Sequence, residues 1–256
     1  MADRTGSGEP SRTLALLWGQ VAPARKGPAR SLTVEKIVDA ALTLADEQGL
    51  AAVTVRAVAQ AVGVSPMSVY TYVPGKPELL DLMVDALYLR MVRPKWGEVP
   101  WRVRLTAVAE MNRALLREHP WLTEIAALSR PPLGPGVMAK YEYELSAFDG
   151  LVLSDVDVDA ALTFLLGFVQ GHCRSVHDAE RSVTDTMMSD AEWWEANQPL
   201  LALAFDPEAY PRAVRIGAAV GEAQQSAWDA ARAWSFGLER TLDGLAAIIE
   251  RPASGR

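Results

Sequence analysis

Apolar positions recur at intervals of three and four along nearly the whole chain beyond residue 33, and no segment alternates apolar and polar residues as a half-buried strand would. Ile37, Ala40, Ala41, Leu44 and Ala45 make the first such stripe, with Thr33 placed to cap its start and Gly49 in the left-handed position past its end. Thr54 opens a second, short helix through Val62 that Gly63 breaks. Ser65 then opens a third with Pro66 in its first turn, where a missing N–H is harmless, ending near Val73. After the Pro74-Gly75 turn, Pro77 and Glu78 begin a long apolar helix carrying Leu79, Leu80, Met83, Ala86, Leu87 and Met91. Breakers at Pro94, Pro100, Pro120, Pro131-Pro132, Gly134-Pro135-Gly136, Gly150, Pro199, Pro207, Pro211 and Gly221 divide the remainder into further helical pieces.

Two of these pieces are long, at about 157–180 and 222–249. Ser154 with Asp157 forms a capping start for one, followed by Ala161, Phe164, Leu165, Phe168 and His172, with Gly167 and Gly171 one turn apart so that another helix can approach. The other carries Trp228, Ala231, Trp234, Leu238, Leu242, Leu245 and Ile249, a seam suited to a partner helix. The fold class is therefore all-α. Residues 1–30 have no sustained period, are rich in Gly, Pro, Ser and Arg, and read as a flexible basic arm.

Half of the 256 residues are apolar and 22% are charged, which excludes a disordered chain and provides for a large core. No uninterrupted apolar run reaches the roughly 18 residues of a membrane span, and there is no signal-peptide h-region. The lone Cys173 forms no internal disulfide, and together these features point to the cytoplasm. A net charge of −7 argues against a polyanionic partner until its distribution is considered. Residues 1–76 hold eight Lys/Arg against six Asp/Glu, leaving the excess of acid to the remaining 180 residues.

The stretch from Thr54 to Val73 has the arrangement of a helix-turn-helix: Ala59 is small where two helices cross, Gly63 supplies a turn, and Val69 plugs the angle between the helices. The second helix of such a unit offers its N-terminal residues to base edges in a major groove. Taken alone, Tyr70 and Tyr72 could equally be packing aromatics. With Tyr70, Tyr72, the Pro-Gly turn and Lys76 in this order, the region from about Thr33 to Leu80 resembles the DNA-binding domain of the TetR family of bacterial repressors. That resemblance implies phosphate contacts by Tyr70, Tyr72 and Lys76, base-facing positions at Pro66, Met67, Ser68 and Thr71, and groove-edge positions at Thr54 and Arg56. No Arg or Lys lies on the second helix of the motif, so affinity must draw on other cations. Arg25, Lys26 and Arg30 either reach an adjacent minor groove or belong to a solvated tail.

Beyond Trp101, the segments His119-Pro120-Trp121, 129–135 and 236–245 are similar to the regulatory domain of the tetracycline-repressor branch. The resemblance implies a homodimer formed by the two long helices, a palindromic double-stranded DNA operator, and a cavity for a small-molecule effector. The domain plan is a 1–30 arm, a 31–77 DNA-binding unit and a 78–250 regulatory body. In that branch a histidine and a glutamate hold a magnesium–drug chelate, but the matching positions fall near Ala126 and Gly171, which cannot bind metal. No metal site or cofactor is expected, and tetracycline does not carry over as inducer. Cavity candidates are Trp121, Met138, Tyr141, Phe164, Phe168 and His172, apolar with a few polar handles, and Trp193 and Trp194 lie in a possible cover. Each is also an ordinary core type. No catalytic constellation, phosphate loop or dinucleotide fingerprint is present. The expected function is a ligand-responsive, repressing DNA binder rather than an enzyme, the alternative being a helical small-molecule binder without operator specificity.

Overall fold

The computed structural model describes residues 5–20, 32–126, 128, 130–224 and 228–250. Among them are twelve α-helices and no strand: α1 (Pro10–Leu17), α2 (Val34–Gln48), α3 (Val55–Ala61), α4 (Pro66–Tyr72), α5 (Lys76–Arg90), α6 (Trp101–Glu118), α7 (Leu122–Ile125), α8 (Pro135–Leu145), α9 (Asp155–Thr186), α10 (Asp190–Ala204), α11 (Pro211–Gln224) and α12 (Ala230–Ile249). The side chains of Thr33, Thr54, Ser65 and Ser154 each accept a backbone N–H three residues on, so these four caps lie where the sequence puts them.

One continuous core runs from Ile37 and Val38 of α2 through α5 to Leu165 of α9 and Leu242 of α12. Its axis is α5, which is buried almost all round: Leu79, Leu80, Met83 and Val84 are inside, and so are Glu78, Asp81 and Asp85. A boundary between residues 77 and 78 thus falls within one helix that belongs to both the N-terminal unit and the larger body.

The buried carboxylates of α5 receive backbone donors from distant segments. Asp85 accepts the N–H of Val137 at 2.9 Å, at the first turn of α8, where the partial positive charge of the helix start favours an anion. The two helices approach so closely that a Cβ at Gly136 would lie 1.9 Å from the Asp85 carbonyl oxygen. Only glycine fits there. Asp81 accepts the Gly6 N–H at 2.8 Å, which brings the chain's N-terminal segment onto α5.

Several expectations are corrected. The 1–30 stretch is not an arm throughout: residues 9–18 form a capped helix packed on α5, with Leu16 and Leu17 at its end buried and Leu14 left exposed. Arg25, Lys26 and Arg30 lie outside the described residues. Pro199 and Gly221 do not break helices; they sit inside α10 and α11, exposed helices in which no residue is buried. The apolar seam of α12 packs within its own chain, with Trp234, Leu238, Leu242 and Leu245 buried against α9 and α6, because that face is the one turned toward them. Gly237 permits this contact, since a Cβ there would lie 2.3 Å from the Phe168 ring. Gly167 and Gly171, by contrast, face open space.

Burial pushes the Asp81 carboxyl up to about 6, reinforced by Glu78 and opposed by the Gly6 N–H. The folded chain therefore holds this proton more tightly than the unfolded one, whose carboxyl titrates near about 4. Stability consequently falls as pH rises between those two values, and the cost is complete above the higher one. Asn would keep the acceptor for Gly6 without the charge. Asp81→Asn is expected to stabilise the protein near neutral pH by up to about 3 kcal/mol, with the gain vanishing below about pH 4. Thermal melts across that range check this, and a pH-independent difference would contradict it.

Candidate nucleic-acid interface and ligand cavity

The turn between α3 and α4 is built by hydrogen bonds that close the end of α3: Val64 N–H reaches the Ala59 carbonyl and Gly63 N–H the Gln60 carbonyl, with Gly63 at φ +72°. Ala59 and Val69 are buried at the crossing. Fixing Val69 and Val73 inward turns the opposite face of α4 outward by helical periodicity. Pro66, Met67, Tyr70 and Thr71 occupy that outer face, and Met67 is 73% exposed.

The remaining positions are less free. Ser68 is half-buried with its hydroxyl 3.0 Å from that of Ser65, and the Thr71 hydroxyl donates to the Met67 carbonyl. Tyr72 is half-buried with its ring packed on the core. Thr54 uses its hydroxyl oxygen to accept the Ala57 N–H, while Arg56 is exposed beside it. Lys76 is the first residue of α5. The structure thus brings Thr54, Arg56, Pro66, Met67, Ser68, Tyr70, Thr71, Tyr72 and Lys76 into one contiguous motif in which α4 presents an uncharged, partly apolar outer face.

A carboxylate joins this unit to the body. Asp46 at the end of α2 lies 2.7 Å from Nδ1 of His119 and accepts the indole N–H of Trp121 at 2.7 Å. These contacts lie at one side of an open cleft of about 790 Å³ between α2 and α6. Trp121 is only 2% exposed, so its N–H has no access to water if Asp46 is lost.

A second cavity, about 320 Å³, is bounded by α5, α8, α9 and a wall of Ala126, Leu128 and Pro131–Leu133. Apolar walls come from Val84, Leu128, Pro132, Val137, Met138, Leu162 and Leu166. Its polar groups are concentrated on α8 and its neighbours. The buried Lys140 ammonium lies 2.7 Å from Glu144, which also accepts Asn112 Nδ2–H at 2.6 Å, and Lys140 sits 5.1 Å from the centre of the Tyr88 ring. Burial and the Glu144 charge push the Tyr88 hydroxyl up, keeping it a neutral donor. Gln170 donates to the Ala126 carbonyl at 3.1 Å.

Of the sequence candidates, Met138 and Tyr141 line this cavity. Trp121 is instead committed to Asp46. Phe164 is 57% exposed on the outer side of α9, while between α9 and α12 Phe168 stacks on Trp234 at 5.3 Å and His172 lies tilted against the same ring at 5.1 Å. Burial and Arg113 push the His172 imidazole down, away from the charged form. Trp193 and Trp194 are exposed and do not line the cavity. Gly171 is exposed on α9, whereas the adjacent Gln170 faces the cavity. The residues missed were Tyr88, Lys140, Glu144 and Gln170. Lys140 and Glu144 at i, i+4 carry a signal, but that spacing ordinarily marks a solvated pair.

The family description "Bacterial regulatory proteins, tetR family" matches residues 37–83, and "Tetracyclin repressor-like, C-terminal domain" matches residues 93–249. The chain belongs to the TetR family. This TetR-family chain is 36% identical over 248 residues to the HTH-type transcriptional repressor DrrR1 of Streptomyces coeruleorubidus, covering 96% of this chain and 89% of that one. Its fold is similar to that of ActR from Streptomyces coelicolor solved with actinorhodin, with a TM-score of 0.71 and 23% identity over 87% of this chain and 99% of that one. BioQ with its natural double-stranded DNA operator aligns with a TM-score of 0.50 and 24% identity over 59% of this chain and 89% of that one. Among the described residues, no helix is long and apolar enough to cross a membrane.

Asp46→Ala leaves the buried Trp121 indole without its acceptor. The expected loss is about 1–3 kcal/mol of stability, read as a lower Tm in melts compared with an exposed control such as Glu47→Ala. Equal melting of the two variants would remove Asp46 as the link between α2 and the body.

Proposed function

We propose that this TetR-family regulator is a cytoplasmic, dimeric repressor that occupies a palindromic operator through α4 and releases it when a small apolar or aromatic effector fills the cavity behind α8. The observation that carries this reading is the sharing of α5: its first residue adjoins the motif that presents α4, and its Val84 and Tyr88 wall the cavity. A ligand that displaces α5, together with the α8 bonded to it, acts on the element that positions the recognition helix.

On the operator, Tyr70, Tyr72 and Lys76 supply phosphate contacts, while Pro66, Met67, Ser68 and Thr71 face bases and Thr54 and Arg56 stand at the groove edge. Met67 offers apolar contact suited to a thymine methyl. Because α4 has no cation, binding energy comes largely from phosphates, including those met by Arg25, Lys26 and Arg30. The outer faces of α9 and α12, where Phe164, Gly167, Gly171 and Phe236 are exposed, support pairing of two copies. Such a dimer must set its recognition helices about 34–36 Å apart to enter successive major grooves.

The cavity suits a mainly apolar ligand that bears a few hydrogen-bonding groups for Lys140, Gln170 and Tyr88. ActR with actinorhodin and BioQ on its operator supply precedents of fold for each half of the cycle. The effector acts only through the difference between its affinities for the operator-binding and free conformations.

Fluorescence anisotropy with DNA from upstream of the protein's own gene tests the reading. Tyr70→Ala is expected to weaken operator binding about tenfold or more while leaving dimer formation and Tm unchanged, and an Arg25/Lys26/Arg30 triple Ala variant to lower the salt slope by about two to three. Undiminished binding by Tyr70→Ala would displace α4 as the operator-reading helix.

A further inference from the structure

The N-terminal segment is bonded to one stretch of the regulatory body at three points. Thr5 donates its N–H to the Ile125 carbonyl at 3.4 Å, and its hydroxyl proton is shared between the carbonyls of Ile125 at 3.1 Å and Arg130 at 3.4 Å. The Trp18 indole N–H donates to the Leu133 carbonyl at 2.8 Å. Ile125 ends α7 just before the wall, and the carbonyls of Arg130 and Leu133 flank Pro131 and Pro132, which with Leu128 form that wall of the cavity.

This wall is poorly equipped to hold itself. Pro131 and Pro132 have no N–H to donate, so neither can join a local backbone hydrogen bond as donor. Donors arriving from elsewhere must hold its carbonyls. Gln170 of α9 holds the Ala126 carbonyl, and the N-terminal segment holds those of Arg130 and Leu133 and is itself fastened on the far side: Gly6 N–H bonds Asp81 of α5, and Leu16 and Leu17 are buried in the core. Two ends of one short segment therefore bridge the cavity wall to α5, while its middle packs on α5.

We propose that residues 5–18 are a clasp on the effector cavity, holding closed the wall formed by Pro131, Pro132 and Leu133, and that a ligand passes in or out when Thr5 and Trp18 let go of the carbonyls on either side of the two prolines. The proposal rests on the reading of this cavity as the effector site. Thr5 and Trp18 are positioning residues, since neither lines the cavity. Their signature is kinetic: loosening a lid speeds passage in both directions and changes equilibrium affinity little.

Stopped-flow fluorescence with anilinonaphthalene sulfonate as probe tests this in the full-length dimer, using the double variant Thr5→Val/Trp18→Phe, which keeps shape and removes the side-chain donors. Association and dissociation rates are both expected to rise about five- to tenfold with affinity within about threefold. Should the double variant fold poorly, Trp18→Phe alone carries the test, with a rise of about threefold expected. Met138→Trp, which fills the cavity, is the companion variant and is expected to weaken probe binding at least about tenfold. Unchanged rates in the clasp variant, with binding still lost in Met138→Trp, overturn the clasp and leave the cavity reading standing. Probe affinity undiminished in Met138→Trp overturns the cavity reading, and the clasp with it.

Discussion

A helix buried on every side cannot carry charge at random, and α5 carries three acids. Burying a carboxylate is unfavourable unless donors come to it, so each acid on α5 fixes the position of something else. Asp85 fixes the start of α8 and Asp81 fixes the N-terminal segment, while Glu78 stands beside the turn that leads to Lys76. The remaining apolar surface of α5 packs on α2 on one side and on α8 on the other. Everything that must move together for a regulator to respond is thus in contact with one rigid rod, whose own freedom to shift is limited by dense packing.

The same logic separates the two cavities. The cleft near Asp46 is wide and open, and its role follows from the bonds at its side, because Asp46 joins α2 to His119 and Trp121. The smaller cavity is more apolar and has its polar groups prearranged, since Lys140, Glu144 and Asn112 satisfy one another before any ligand arrives. A buried pair of this kind favours a ligand that adds hydrogen bonds over one that must break the pair, because leaving either charge unpartnered costs about 3–5 kcal/mol. That selects for shape and neutral polar groups.

The legible part of this molecule was local. Thr33, Thr54, Ser65 and Ser154 could be placed as caps because a cap depends on its own next three residues, and the helix-turn-helix could be placed because Ala59, Gly63 and Val69 answer to geometry within one motif. What failed was nonlocal. Trp121 reads as an apolar pocket residue until Asp46, 75 positions earlier, is found holding its indole. The seam on α12 has the spacing of an interface, and periodicity alone cannot say whether the partner is another chain or α9 of the same one. Leu14, Leu16 and Leu17 were too short a run to announce a helix without knowledge of the surface that covers it. Pro199 is tolerated within α10 despite its missing donor, which no single-residue rule predicts.

These bonds also constrain how a signal can cross the molecule. The smaller cavity, the proposed effector site, is bounded by α5, α8, α9 and the wall of Ala126, Leu128 and Pro131–Leu133, but α8 is held to α5 by Asp85 and by the close approach at Gly136, which ties those two together. The wall is different, since Pro131 and Pro132 have no N–H, Gln170 of α9 holds only its Ala126 end, and the carbonyls of Arg130 and Leu133 are held by the N-terminal segment. On the clasp proposal the wall is the surface that yields to a ligand, and the Gly6–Asp81 bond ties the clasp to α5. At the other end, Asp46 ties α2 to His119 and Trp121, a contact that opposes free rotation of the recognition unit against the body. A coupling of about 1–3 kcal/mol, typical of allosteric control, lies within what a few such hydrogen bonds can transmit.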